Sequence, residues 1–588
     1  MEGLDRLEKH WRWWLLLFWL AVAGLLIFNR WGGIQGFALS DTDDNMRIMQ
    51  VRALLAGQDW YDLRQHRLNP PHGADIHWSR LVDLPIAGLR LLMAPFLGGP
   101  GAERWAVALA PLLPMLVAIY ALAATIRRMV APAAFALGIG ILFCAHSSMG
   151  MWAPLRIDHH GWQLAMLALG MMGLADAKRA QGGVVLGAST ALSFAIGLEM
   201  LLYFALMGGI AVLLWVRDEA QARRLAAYGA TLAGGCSLAF LIFASNANRA
   251  PVCDALSPVW LSVTVAGGAV ALLLAWLSPA SWQARLGIAA AGGAAVAGFY
   301  AMAWPNCLGR LEQSSPELHQ LWLDNVREAR PVYRHGLQTA VSIAALPIAG
   351  LIGYGLMLWR NRSDPAALAA WAALAAPALL AAALLLWQSR AGPASQLLAV
   401  PGATALAWLL IPHFRTSRLM LVRVLATVVA FALISGILPQ QIVRFWPQKE
   451  TRFGRTVNAA NGRCPTMAAL RPIAMQPRGQ VLTFVDLGPR LIALTHHDAV
   501  AGPYHRNQQD IIDVQKAFRG SAENARATIE RRGIDYVLIC PNLSESTIYQ
   551  AEAKQGFYMQ LMRGHVPAWL EAVELPRGSP YRMWRVRR

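Results

Sequence analysis

The sequence predicts a polytopic α-helical membrane protein, with about thirteen transmembrane helices and a C-terminal α/β domain outside the bilayer. Three observations carry that prediction. The 588 residues are 56% hydrophobic and only 15% charged, with a mean hydropathy of +0.38, whereas soluble domains run nearer a quarter charged. Apolar runs of spanning length recur between short loops from Trp13 to residue 438. Beyond that point the composition turns polar, and about half of the net charge lies in residues 439–588. The apolar content excludes a disordered chain. Gly, Pro and Cys spread without period exclude collagen-like and disulfide-scaffold chains. A formal charge of +18 fits loops that face anionic lipid, so membrane lipid is an expected partner and nucleic acid is not.

The first helix runs from Trp13 to Phe28. Arg6, Lys9, His10 and Arg12 precede it and no small-residue cleavage site follows, which reads as a retained span with a cytoplasmic N-terminus. The next loop, residues 29–103, is then periplasmic or exoplasmic. Its half-apolar stretch Leu81–Leu97 is interrupted by Asp83, Pro85 and Pro95 and reads as an interfacial helix rather than a span. Twelve further spans are expected near 104–126, 131–148, 162–176, 182–197, 199–216, 225–244, 259–277, 285–304, 336–359, 366–387, 397–414 and 418–438. That topology puts Arg127 and Arg128, Lys178 and Arg179, Arg217 to Arg224, Arg360 and Arg362, and Arg415 and Arg418 on the cytoplasmic side. The chain therefore divides into a membrane domain, 1–438, with long outer loops 29–103 and 305–335, and a periplasmic α/β domain, 439–588, in a cell inner membrane. In the latter, "GQVLTFVDLGPRLIALT" reads as a strand followed by an apolar run. "SAENARATIERRGIDYVLICP" reads as helix, tight turn at Gly533, then strand. Cys253–Cys307 and Cys464–Cys540 are either disulfides of an oxidising compartment or free buried thiols.

Charges at the mouth of a helical bundle are costly and are functional candidates by default. Four outer-face clusters stand out. "DTDDNMRIMQVR" places Asp41, Asp43 and Asp44 together just after the first helix; carboxylate oxygens suit a hard divalent ion, and they equally suit a helix cap. "RIDHHGWQ" supplies Asp158, His159 and His160, with Arg156 able to hold a phosphate. The loop 305–335 contains "SSPELHQLWLDNV", which reads as a capped amphipathic helix that returns Glu328 and Arg330 to the surface. "WQSRAGPASQ" sets Arg390 at the outer end of a helix, facing a lipid phosphate or snorkelling to the interface. In the outer domain "THHDAVAGPYHRNQQD" is a loop with His496, His497, His505 and Arg506, open to substrate or packed on the membrane domain.

Taken in order, these clusters resemble the catalytic subunit of oligosaccharyltransferase, a membrane glycosyltransferase of the GT-C type. Asp41 with Arg47 resembles that family's first motif. Asp158-His159-His160 is similar to its Asp-x-His motif, "NVREARP" to the motif ending in Glu328, and Arg390 to its diphosphate-binding arginine. The resemblance covers nearly the whole chain. It implies a GT-C fold and a sugar or oligosaccharide moved from a polyprenyl-phosphate or -diphosphate donor to a glycan or protein acceptor, with inversion at the sugar. It implies a divalent cation, Mg²⁺ or Mn²⁺, on Asp41, Asp43, Asp158 and His160, and catalytic roles for Asp41, Asp158 and Glu328. Arg390 and Arg156 are then the donor-phosphate ligands. Residues 439–588 lack the family's Trp-Trp-Asp-Tyr-Gly motif, which reads Asn-x-Ser/Thr acceptors. The loop with His496, His505 and Arg506 is the expected acceptor contact in its place. A transporter or flippase of lipid-linked sugars would put its charges near the bilayer midplane instead. A polysaccharide polymerase or ligase would differ in the acceptor alone, and a non-catalytic scaffold would not bring Asp41, Asp158 and Glu328 together.

Overall fold

A computed structural model describes residues 2–446 and 451–587. Helices occupy all thirteen segments read as spans, from α1 (Trp11–Asn29) to Met420–Ile434. Among the described residues eight helical stretches are long and apolar enough to cross a membrane, or nine if the bent pair Met420–Ile434 and Ile437–Arg444 counts as one. The lower number has a simple cause. Phe135–Cys144 has 10 residues and His160–Leu174 has 15, too few for one straight helix to cross the hydrocarbon. Leu201–Arg217, with 17, stands at the lower limit of length, and Arg179–Ile196, with 18, carries Arg, Gln, Ser and Thr among its apolar residues. The chain is a multi-pass membrane protein. Its helices pack through small residues: a Cβ added to Gly353 would lie 1.9 Å from the Gly402 carbonyl oxygen. Helices Leu337–Arg360 and Gly392–Arg415 thus meet backbone to backbone, the close approach that drives association in lipid.

The first long loop holds a short helix, Trp31–Gln35, and then α2 (Thr42–Leu55), whose N-cap is Asp41. Next comes α3 (Asp83–Leu109), which breaks at Gly98, where φ is +67°. A left-handed turn of that kind favours glycine, and it separates the expected interfacial segment from the span that follows. Leu91, Leu92 and Phe96 stand exposed on that segment, as a helix lying on lipid requires.

The C-terminal region builds a five-stranded mixed sheet from β1 (Gln480–Leu482), β2 (Asp498–Ala499), β3 (Tyr536–Ile539), β4 (Leu570–Ala572) and β5 (Arg582–Val586), in the order β2-β1-β3-β5-β4. β1 pairs in parallel with β2 and β3, and β5 runs antiparallel to β3 and β4. Gly533, at φ +65°, closes helix Ala522–Arg532 ahead of β3, as read from the sequence. This sheet does not pack alone. Ile48, Val51, Trp78 and Ile86 of the first outer loop share one apolar core with Phe484, Tyr504, Phe518 and Val537.

Polar ties stitch the same seam. Arg67 donates to the carbonyls of Ile492, Thr495 and His497, and Arg490 donates to Asn45 and to the Phe37 carbonyl. Cys253–Cys307 and Cys464–Cys540 are both disulfides. The amphipathic helix of loop 305–335 is shorter than expected. Ser315 caps it as predicted, but it ends at Leu321, and short 3-10 turns follow. Leu318 is instead drawn into the outer core, and Arg519 takes the freed Leu321 carbonyl.

Candidate functional site

The acidic cluster forms where α2 meets α4 (His160–Leu174). Asp41 caps α2 through Oδ1, which leaves Oδ2 free to accept from Arg156 Nη1 at 2.5 Å. Asp158 plays the matching part for α4. Its Oδ1 accepts from the His160 backbone N–H at 3.0 Å, while its own N–H donates to Asp44 Oδ1 at 2.9 Å. Two helix N-termini thus point their partial positive charge at one acidic patch. Arg156 Nη2 lies 2.8 Å and His160 Nδ1 3.1 Å from Asp158 Oδ2, and Arg156 also lies 3.8 Å from Asp44. These are ion-pair distances without hydrogen-bond geometry: Asp44 Oδ2, Asp158 Oδ2 and His160 Nδ1 are buried and have no hydrogen-bond partner.

The charges do not balance. Four carboxylates, those of Asp41, Asp43, Asp44 and Asp158, face Arg156 as their one arginine. Burial raises the pKa of each, and the arginine rescues only some. Arg156 outweighs burial at Asp41, and His160 with Arg156 does so at Asp158, which lies far below the usual carboxylate range. Asp43 is pushed up to about 7, by burial and then by Asp41 and Asp158. Asp44 is raised as well, by burial and then by Asp158. A cluster with more carboxylates than cations would be relieved by a divalent cation, but Arg156 now sits among these oxygens. Among the described residues the group of three ligand atoms that lie within 4.8 Å of one another is that of His77, Asp254 and His505.

The surroundings hold this cluster rigid. Arg47 is fully buried, donates to Asp83 at 2.9 Å and lies 4.3 Å over the Trp78 ring. Trp78 packs on His159 and Tyr504, each 5.5 Å between ring centres. The Tyr504 hydroxyl donates to the Thr42 carbonyl, so the outer domain closes one wall. His159 in turn meets Glu199 at 2.7 Å, and Gln163 donates to the same carboxylate.

Glu199 and Asp486 are absent from the sequence reading. Glu199 was hidden in the turn between two spans, and the available signal was a lone acid in an apolar run. Asp486 keeps solvent contact but is crowded by protein, then by Glu545, Asp41 and Asp43, and is pushed up to about 8. It had no signal, because only folding brings the outer domain to α2.

The other expected residues fall elsewhere. Glu328 and Arg390 face each other at 4.0 Å, both well exposed, with the Ser389 hydroxyl on the Glu328 carbonyl. Among the described residues no hydrogen bond or ion pair joins them to the acidic cluster. Arg156 is turned into the carboxylates rather than outward. His505 and Arg506 converge on Asp254, whereas His496 sits apart on the Gln476 carbonyl.

The sequence matches no family model and no curated protein. Solved structures do match. The chain is similar to the archaeal oligosaccharyltransferase AglB from Archaeoglobus fulgidus in complex with an inhibitory peptide and a dolichol-phosphate. That match has a TM-score of 0.69 at 12% identity and covers 96% of this chain and 73% of the other. It is similar to the Archaeoglobus fulgidus oligosaccharyltransferase tethered to an acceptor peptide, with TM-score 0.67, 13% identity and coverage of 91% and 69%. The complex of that protein with Zn and sulfate gives 0.62, 14%, and 92% and 70%. At these identities the likeness shows the fold: this chain has the GT-C architecture expected from its motifs.

Proposed function

We propose that the chain is a membrane glycosyltransferase that moves a sugar or oligosaccharide from a polyprenyl-phosphate or -diphosphate donor to a glycan or protein acceptor at the outer, periplasmic face. The observation that carries this reading is the gathering of Asp41, Asp44 and Asp158, drawn from two loops, on Arg156, with His160 on Asp158 and Asp43 within their electrostatic reach. The cluster sits at helix ends and not in the middle of the bundle, which favours an enzyme over a carrier with a midplane site. The fold shared with proteins bound to dolichol-phosphate and to acceptor peptide supports a lipid-linked donor.

Asp41, Asp43, Asp158 and His160 hold Mg²⁺ or Mn²⁺ in this reading. Bound there, the ion supplies a Lewis acid that offsets negative charge on the leaving phosphate. Arg156 adds a fixed positive charge in a partly dry setting, and Arg390 holds the donor phosphate from the far end of the outer face. Glu328, with Asp41, orients the acceptor nucleophile or takes its proton once loop 305–335 orders over bound donor. Attack from the face opposite the phosphate inverts the sugar. The test is transfer from a labelled polyprenyl-linked sugar. Asp158→Asn is expected to lose about 100-fold or more in rate, with an unchanged melting temperature. Near-normal transfer by that variant would sink the mechanism.

A further inference from the structure

A second cluster lies beyond Trp78, and the transferase reading leaves it unused. His77 comes from the first outer loop, Asp254 from the loop after helix Ala222–Phe243, and His505 from the outer domain. One ligand atom from each lies within 4.8 Å of the others. His505 Nε2 is 2.7 Å from Asp254 Oδ2, and the two imidazole rings are 4.8 Å apart between centres. The His77 ring makes no hydrogen bond among the described residues, and its Nδ1 is buried without a partner. Such an orphan nitrogen costs stability unless something fills the site.

We propose that His77, Asp254 and His505 bind a divalent transition metal of the Zn²⁺ class, which staples the outer domain to the first outer loop and the membrane domain. Two imidazoles and one carboxylate are a borderline donor set that suits Zn²⁺ rather than Mg²⁺. Three protein ligands leave a fourth position for water. Ligand atoms of a tetrahedral zinc lie roughly 3.3 Å apart, so His505 Nε2 and Asp254 Oδ2, now 2.7 Å apart, open by about 0.6 Å to admit the ion while His77 closes on it.

A single proton now bridges His505 Nε2 and Asp254 Oδ2. The cation takes its place, each atom turns a lone pair to the metal, and that proton leaves to solvent. Arg506 stays on Asp254, at 2.6 Å to Oδ1 and 2.8 Å to Oδ2, as the outer partner that orients a metal-bound carboxylate. The neighbours of two ligands, Trp78 and Tyr504, are the wall of the acidic cluster, and a filled site would fix that wall.

The test uses full-length protein in detergent, stripped with chelator and then given Zn²⁺ alone. Asp158→Asn serves as the parent, which separates this site from the acidic cluster. The parent is expected to retain about one zinc after gel filtration and to melt at higher temperature with Zn²⁺ but not with equal Mg²⁺. Adding His77→Ala, which breaks no hydrogen bond, is expected to remove both the zinc and the shift, and His505→Ala to do the same. Zinc content unchanged by His77→Ala, no zinc on the parent, or equal stabilisation by Mg²⁺ would each overturn the proposal. Metal content is read without any activity, so this result stands or falls separately from the transferase reading.

Discussion

Two ionic clusters flank the Trp78–Tyr504 contact, and they handle charge in opposite ways. Beneath it, four carboxylates share one arginine, and Asp44 Oδ2, Asp158 Oδ2 and His160 Nδ1 are buried with ion pairs but no well-formed hydrogen bond. Beyond it, Asp254 lies between His505 and Arg506, and its charge is met by hydrogen bonds of 2.6–2.8 Å, while Asp75 takes a longer contact of 3.5 Å from the same arginine. An overcharged cluster of this kind destabilises the fold until a cation arrives, which is what a site for exchangeable metal and substrate needs. A matched cluster holds segments together. The difference lies in how far the carboxylates outnumber their cationic partners: Asp41, Asp44 and Asp158 all crowd Arg156, whereas Asp254 is met on both oxygens by Arg506 and by His505.

That contrast can be broken from either side. The largest effect on stability is expected at the matched cluster. Arg506→Met leaves Asp254 buried without its main partner and is expected to cost about 3 kcal/mol, read as easier unfolding of the outer domain with donor affinity intact. A smaller cost than that of a surface ion pair would mean Asp254 does not depend on Arg506. At the overcharged cluster, Arg156→Gln is expected to slow transfer about 100-fold. It is also expected to make the melting temperature more responsive to added Mn²⁺ than in the wild type. A weaker Mn²⁺ response would show that Arg156 does not compete with the ion.

Arg390→Leu lies outside both clusters, at an exposed pair, and a loss of about tenfold in donor affinity is expected, near 1.4 kcal/mol. Donor binding indistinguishable from wild type would remove Arg390 from the site. The smallest effect concerns pH. His497 is buried in the outer domain, and burial lowers its pKa below the ordinary value despite its bonds to the Ile473 and Gly479 carbonyls. A folded pKa below the unfolded one means stability is complete above about pH 6.5 and falls as pH drops through the folded value. His497→Gln is expected to flatten the acid limb of the outer domain's unfolding curve. An unchanged slope would assign acid sensitivity to other groups.

Much of this was legible in the sequence because it is local. Runs of apolar residues demand helices, Asp41 and Ser315 are caps by virtue of their position, and Gly533 marks the turn before β3. The pairing of Asp41 with Asp158 was also legible, through ordered motifs that sit just outside two spans. Other features were not. Glu199 looked like a turn residue, Asp486 like part of a strand end, and the short spans looked full length because hydropathy does not register breaks in a helix. Arg156 read as a free phosphate ligand, since its three carboxylate partners lie on either side of it in the chain and only one is near.

By itself, then, the chain's sequence determined that it is a multi-pass membrane protein and which residue types gather at each helix end. Burial of apolar side chains and satisfaction of backbone groups decide those matters within a few turns of chain. Tertiary structure alone decided which charges meet. The acidic cluster needs α2 against α4, and the histidine cluster needs three segments more than 170 residues apart to close on one another. Electrostatic character depends on distance and burial, and neither is a property of the chain until it has folded.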